Sequence, residues 1–455
     1  MMKTAVILCA GKGTKLWPYA QIRNKVMMPV SNRPIVAYAV DSLTQLGFLK
    51  IVLVAGPFAD EARGYFRDNA RVRVLTDDAP KGAAYSLLCA KDEVEEDFLL
   101  LYGDTIVDTD DLRALRDAFL ASGENTALVG AIEDRSSEHI GCTVENGSVK
   151  EIFGHSRGDS THRFAAFALR QSIFDALPYN GCRFTYTDVG MMSLIEGYFE
   201  LTLADELRRG TPLRCVCAGK VFFDIDRPWD ILYANDRINE KRCAALTQNE
   251  LAEGASIDPT AVLHGFVRLG KNTRIGHGVI VEGNLIVGDD CELLNGAIIG
   301  GSVVIGDRSK IRNGCYIAPR STVGNECIVS HAAELDGMIL DRVYLYHYME
   351  WNGVIGENTD LGAATVCGSL RFDDSITLQR VKGRREFHNG FGDAVFLGDY
   401  CRTGVNAIFM PGVKVGVYSV VGAGVVLTRD VADNTLIYAE QKLTEKPWGP
   451  EKYGW

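Results

Sequence analysis

Residues 267–306 read VRLGKNTRIGHGVIVEGNLIVGDDCELLNGAIIGGSVVIG. An aliphatic residue returns at every sixth position, as Leu269, Ile275, Val281, Val287, Leu293, Ile299 and Ile305, and a glycine directly follows several of them, as at Gly270, Gly276, Gly288, Gly300 and Gly306. Outward from here the same spacing holds from Ile257 to Leu335, fourteen positions in a row. A helix needs a period near 3.6 and an alternating strand a period of 2, so neither accounts for six. Six residues suit one short strand plus a corner, with the aliphatic side chain inside and a small residue at the turn. The pattern predicts a parallel β-helix. Past Leu335 the phase slips by two residues, to Val343, Met349, Ile355, Leu361 and Cys367, and it returns at Leu397, Val415, Val421 and Leu427. Between these runs, residues 369–390 break the repeat and are rich in Arg, Lys and Asp, which reads as a loop thrown out from one coil.

Upstream the pattern is different. Residues 4–10, 51–55, 72–76 and 98–102 are short apolar runs, and 34–45, 59–66 and 83–91 carry helical spacing between them. Such alternation predicts a doubly wound α/β sheet, with ligands bound beyond the carboxyl ends of its strands. Residues 229–252 turn helical. The expected organisation is an α/β domain over 1–235, a helical connector over 236–254 and a β-helix over 255–455.

A chain of 455 residues has room for such domains. The net charge of -11 argues against a nucleic-acid groove, which needs a basic excess. Twelve cysteines are scattered with no CxxC pair, and read as buried free thiols in a reducing compartment. The apolar run before Gly11 is too short for a signal segment or a membrane span. The expectation is a cytoplasmic protein with neither nucleic-acid nor membrane partners. The tail, Lys446-Pro447-Trp448-Gly449-Pro450 and Tyr453-Gly454-Trp455, reads as packing across a neighbouring copy or as a cover for the last coil.

Two clusters in the α/β half carry chemistry. Gly11-Lys12-Gly13-Thr14-Lys15 follows the first strand, and Lys25 comes soon after. Glycines there let backbone amides approach a triphosphate while two lysines neutralise it; the plain alternative is a turn between strand and helix. Asp104 ends Leu99-Leu100-Leu101-Tyr102-Gly103-Asp104, a place suited to a Mg²⁺ ligand or to a cap of the following segment. In Asp224-Ile225-Asp226-Arg227-Pro228-Trp229-Asp230 one aspartate can complete a metal site, while Asp226 and Asp230 can equally cap the helix after Pro228.

With these residues in view, the chain resembles the sugar-1-phosphate nucleotidyltransferases, whose signature GxGTR, Lys before a Pro-containing strand, GD and DIxxPWD stand here as GKGTK, Asn24-Lys25-Val26-Met27-Met28-Pro29, Gly103-Asp104 and residues 224–230. The resemblance implies that Gly11, Gly13, Thr14 and Lys15 cradle an NTP (UTP or dTTP), with Gly82 in the base-reading loop. It implies that Lys25 and Mg²⁺ assist transfer to a sugar 1-phosphate, and that Asp104 and Asp224 hold the metal. The chain departs from the pattern in four places. Lys15 replaces the signature Arg, Gly82-Ala83 replaces Gly-Thr, Phe164-Ala165-Ala166 replaces Asn-Ala-Gly, and the Glu-Lys-Pro of the sugar site is missing after Val149-Lys150-Glu151-Ile152.

Over nearly its whole length the chain resembles the bifunctional enzymes that make UDP-N-acetylglucosamine, in their archaeal-type version. Leu361-Gly362-Ala363-Ala364-Thr365, Leu370-Arg371-Phe372-Asp373, Gly383-Arg384-Arg385, Thr403-Gly404-Val405-Asn406 and Met410-Pro411-Gly412-Val413 carry that likeness. It implies a left-handed β-helix that assembles as a homotrimer and acetylates an amino-sugar 1-phosphate from acetyl-CoA. His347 would be its general base, Arg371, Arg384 and Arg385 would hold phosphate or coenzyme A, and Ala423 would lie beside the coenzyme A arm. Taken alone, a lone histidine is more often a surface or packing residue, and a charged loop is usually just solvated. Glu350 stands where the family has Tyr, and Ser369 where it has Asn. Two other readings stay open on the residues: a nucleotidyltransferase with a purely structural β-helix, and a sugar-nucleotide-binding scaffold without chemistry.

Overall fold

The computed structural model describes residues 2–132, 139–154, 160–184, 195–386, 388 and 390–453. Two compact units emerge. The first comprises Met1–Ala245 together with Arg380–His388, the second Leu246–Gln379 and Asn389–Trp455.

In the first unit nine strands form one sheet, in the order Val72–Thr76, Lys50–Ala55, Thr4–Cys9, Phe98–Tyr102, His162–Leu169, Thr126–Ala131, Arg214–Cys217, Ser148–Phe153 and Gly141–Glu145. The first four run parallel, with Leu8 opposite both Val54 and Tyr102. In the three inner strands nearly every side chain is buried on both faces because helices cover both, while Val72–Thr76 at the edge leaves Arg73 and Thr76 exposed; two separate buried clusters result. Helices Ile35–Gln45, Ala59–Phe66, Ala83–Leu88 and Thr109–Ser122 alternate with the strands as the periodicity predicts. No separate connector exists: residues 236–244 are the last turns of a helix, Pro228–Ala244, and the division falls at Ala245/Leu246. The apolar positions of that helix belong to one continuous run from Pro228, which is why a boundary at 235 is not realised.

The second unit is a parallel β-helix. Ser256 pairs with Arg274, Val262 with Ile280 and Glu250 with Arg268, so one coil takes eighteen residues and three faces. Every repeat position from Leu269 to Leu335 is buried in the prism. One corner is marked by left-handed backbone at Asn272, Asp290, Arg308, Glu326, Arg342 and Asn358. The spacing of that corner is eighteen residues as far as Glu326 and sixteen for the next two coils. The phase slip is therefore not one two-residue insertion after Leu335. Two coils are each two residues short, because Glu334–Ile339 and Glu350–Ile355 are single six-residue strands where other coils have two strands and a corner. They pair in register from end to end. Gly337 and Gly353 sit in their middles at φ 126° and 134°; a Cβ on Gly353 would lie 2.0 Å from the carbonyl oxygen of Val395.

Hydrogen-bonding side chains line one internal column. Thr273 Oγ1, Cys291 Sγ, Ser309 Oγ and Cys327 Sγ each donate to a carbonyl of the next coil. All twelve cysteines are free. Burial pushes Cys291 up to about 11 and Cys327 up to about 12, so in this prism cysteine serves as a small apolar donor. At the other end of the chain Trp448 is exposed, while Gly454 and Trp455 lie outside the described residues.

Candidate active sites

The parallel pairing of Thr4–Cys9 with Phe98–Tyr102 brings residues 11–14 and Asp104 to the same sheet edge. The short strand Phe223–Asp224 then runs antiparallel to Thr105–Ile106, with Asp224 opposite Thr105, and Ile225 donates its N–H to the carbonyl of Asp104 at 3.0 Å. Asp224 and Asp104 are thereby neighbours. Lys25 opens a helical turn, Lys25–Met27, whose N-cap Asn24 accepts from the N–H of Val26 and donates its amide to the carbonyls of Cys9 and Pro57. That double anchor ties Lys25 to the end of the first strand. Gly13 has φ 62°, and a Cβ there would stand 2.9 Å from the Cβ of Lys25, so glycine admits the lysine.

The ammonium of Lys25 lies 2.7 Å from Asp104 Oδ2 and 2.5 Å from Asp226 Oδ1, and its side chain is 6 % exposed. Lys15 Nζ reaches Asp226 Oδ2 at 3.2 Å, and Arg163 stands 3.7 Å from Asp224. Burial alone would lower the Lys25 pKa, yet the surrounding carboxylates of Asp104, Asp226 and Asp224 outweigh it and hold the group charged above the ordinary lysine range. Burial likewise disfavours ionised Asp226, but Lys25 and Lys15 overcome it and keep that carboxyl well below the usual range. Asp224 is the opposite case: burial, then the like charges of Asp226 and Asp104, push it up to about 7. Oxygens of Asp104, Asp224 and Asp226 can converge within 4.8 Å of one another. Three carboxylates whose oxygens lie this close, one of them raised by burial and by its neighbours, fit a hard divalent cation.

Of the residues singled out from sequence, Lys15, Lys25, Asp104 and Asp224 are brought together. Gly11 and Thr14 are exposed on the adjoining loop. Gly82 begins the helix Ala83–Leu88 and is packed against Gly197. Asp226 was read as a helix cap or a ligand; the capping role falls to Asp230, which accepts from the N–H groups of Asp226 and Arg227 at 2.9 and 2.7 Å. Asp226 instead binds both lysines. Residues two apart on an extended segment face the same way, so the Asp-x-Asp spacing was the available signal. Phe164, Ala165 and Ala166 are buried in the strand His162–Leu169.

On the β-helix, His347 is exposed at a corner with φ 60°, and its ring stacks on that of His331 at 4.6 Å. Corner hydrogen bonds climb one edge, from Tyr348 N to His331 O, Ala364 N to His347 O, Asn406 N to Ala363 O and Gly424 N to Val405 O. Ala423, also exposed, thus lies on the same edge as His347. His331 was not anticipated, because sixteen residues match no multiple of six. Arg371 is exposed and bonded to Asp373 and Ser375. Arg384 and Arg385 are not grouped with His347; they belong to the first compact unit.

This combination defines a class: a nucleotidyltransferase-type α/β domain followed by a hexapeptide β-helix of acyltransferase type. The MobA-like NTP transferase domain family matches residues 5–181, and six repeats of the bacterial transferase hexapeptide match residues 284–319. The bifunctional protein GlmU of Methanococcus maripaludis is 30 % identical over 445 residues, covering 96 % of this chain and 98 % of that protein. GlmU of Methanocaldococcus jannaschii is 28 % identical, with 96 % and 98 % covered. A bifunctional sugar-1-phosphate nucleotidylyltransferase/acetyltransferase of Sulfurisphaera tokodaii is 26 % identical, with 94 % and 98 % covered. The chain belongs to the GlmU-like family of bifunctional nucleotidyltransferase/acetyltransferases.

Proposed function

We propose that the first unit joins an NTP (UTP or dTTP) to a sugar 1-phosphate. A phosphate oxygen of the sugar attacks the α-phosphorus, the bond to the bridging oxygen breaks, and pyrophosphate leaves. The observation that carries this reading is the Lys25 ammonium bridging Asp104 and Asp226 beside the glycine loop and Lys15. Lys15 and Lys25 neutralise phosphate charge, and the loop amides of residues 11–14 orient it, so catalysis rests on positioning and electrostatics. Asp104, Asp224 and Asp226 would hold Mg²⁺, which when bound supplies further neutralisation of the phosphates.

The β-helix acetylates an amino-sugar 1-phosphate. The amine attacks the thioester carbonyl, the C–S bond breaks, and coenzyme A leaves as its thiol. His347 takes the proton from the amine, with His331 stacked behind its ring. Arg371 would hold phosphate, and Ala423, on the same edge as His347, would lie beside the coenzyme A arm. The β-helix would assemble as a homotrimer. Free cysteines throughout, and the lack among the described residues of any helix long and apolar enough to cross a membrane, accord with a cytoplasmic enzyme.

A paired assay on one sample tests both halves, following pyrophosphate from a panel of NTPs and sugar 1-phosphates, and thiol from acetyl-CoA with amino-sugar 1-phosphates. Asp104→Ala is expected to abolish pyrophosphate release alone, and His347→Ala thiol release alone. Silence of the wild type in either arm across the panel would overturn the reading of that half.

A further inference from the structure

The sequence leaves the β-helix after the strand Val366–Cys367 and rejoins it at Val395–Leu397. The excursion is built, not slack. At its base Thr377 is hydrogen-bonded to Asp393, and the buried Gln379 donates its amide to the carbonyls of Gly392 and Ala394 at 2.8 and 3.3 Å. Above this base Gln379–Val381 and Arg384–Glu386 pair as a two-stranded hairpin, and residues Arg380–His388 belong to the first unit.

Within that unit the hairpin meets the start of helix Pro228–Ala244. The Arg227 guanidinium donates to the Glu386 carboxylate, their side chains being 12 % and 20 % exposed, and the His388 ring lies 5.9 Å from that of Tyr233. Arg227 directly follows Asp226, the carboxylate bonded to Lys25 and Lys15, and both peptide N–H groups are fixed on Asp230. A charge-assisted bond at Arg227 therefore acts one residue from the group that orients the two lysines.

We infer that Glu386 is a positioning residue for nucleotidyl transfer: through Arg227 it holds the Asp224–Asp226 segment in the geometry that aims Lys25 and Lys15. This rests on the nucleotidyltransferase reading of the first unit. It also gives the Arg- and Lys-rich excursion a role in that reaction, where the sequence pointed to acyl transfer.

The test compares full-length Glu386→Asp, Glu386→Gln and Glu386→Arg. Nucleotidyl transfer should keep its KM for NTP within about three-fold while kcat falls about ten-fold in E386Q and about a hundred-fold in E386R, the loss expected of an ångström-scale misplacement. E386D should recover kcat to within about three-fold of wild type, and thiol release should stay within about two-fold in every variant. Hydrogen exchange in a peptide spanning residues 222–232 should be faster in E386Q than in wild type. An E386Q enzyme with unchanged kcat and unchanged exchange would overturn the inference, as would a parallel fall of thiol release. Should E386R fail to fold, E386Q decides. A wild type silent for pyrophosphate would sink the nucleotidyltransferase reading, whereas the exchange arm would still decide whether Glu386 holds the segment.

Discussion

Replacing Lys25 by methionine removes one positive charge and keeps the stem, so its effect isolates the ammonium. In the native protein that ammonium bridges Asp104 at 2.7 Å and Asp226 at 2.5 Å, and Asp224 adds a third carboxylate close by. Taking one partner from a buried ion pair costs about 3–5 kcal/mol. Asp104 and Asp226 each keep over a quarter of their side-chain surface, and Lys15 still serves Asp226, which brings the figure down to about 2–3 kcal/mol. At about 1.4 kcal/mol per decade this is a roughly 30- to 150-fold rise in the opening equilibrium of the first unit. Native-state hydrogen exchange in Thr4–Cys9 and Phe98–Tyr102 reads that ratio at pH 8. The sign of its pH dependence is also set. Without the lysine the folded carboxylates bind protons more readily than they do in the unfolded chain, so the deficit should shrink as pH falls towards 5. Mg²⁺ should narrow it as well, since a cation among the carboxylates replaces the missing charge. Exchange unchanged from wild type at pH 8, or a deficit that grows on acidification, would refute the electrostatic account of this cluster.

Asp226→Asn should lower pyrophosphate release by about a hundred-fold or more while thiol release continues, because both lysines lose the Asp226 carboxylate and Lys25 is left with Asp104; a steady-state assay of both products checks this. Gly353→Ala should destabilise the β-helix by about 3–5 kcal/mol, as a Cβ 2.0 Å from a backbone oxygen at φ 134° cannot be relieved by rotating a side chain; urea unfolding of the variant measures it. The buried Glu200 carboxyl accepts from Tyr102, and burial raises its pKa despite that bond. The folded state therefore holds this proton to higher pH than the unfolded chain, and the contribution to stability falls as pH rises from about 4.5 through the raised value. Glu200→Gln should flatten that slope in unfolding curves taken across the range.

The fold was legible because its signals are local and repeated. One aliphatic residue per six positions is a demand of each strand–corner step, and strands such as Val72–Thr76 and Phe98–Tyr102 are bounded by their own turns. Other features escaped. The sixteen-residue coils keep an apolar residue inside, so a shortened corner and a two-residue insertion leave similar periodicity; only the register of Glu334–Ile339 with Glu350–Ile355 separates them. Asp104 could be picked out because it follows a parallel strand, Lys25 because it comes soon after the glycine loop, and Asp224 through the family signature. Asp226 was ambiguous, since an aspartate before Pro228 serves equally well as a cap. Glu386 had no signal: it lies 159 residues from Arg227, and nothing in a charged loop says which of its charges is anchored.

The first unit is discontinuous along the chain, and this bears on how it is made. A ribosome releases Met1–Ala245 well before it reaches Arg380–His388. The 143 residues from Ala245 to His388, at about 5–20 residues per second, amount to a delay of roughly 7–30 s. During that interval the nascent α/β layer has its sheet and its lysines but lacks the carboxylate that clasps Arg227. The clasp on Arg227 thus forms only after several β-helix coils have been made, and a messenger cut short between the two segments would yield a first unit without it.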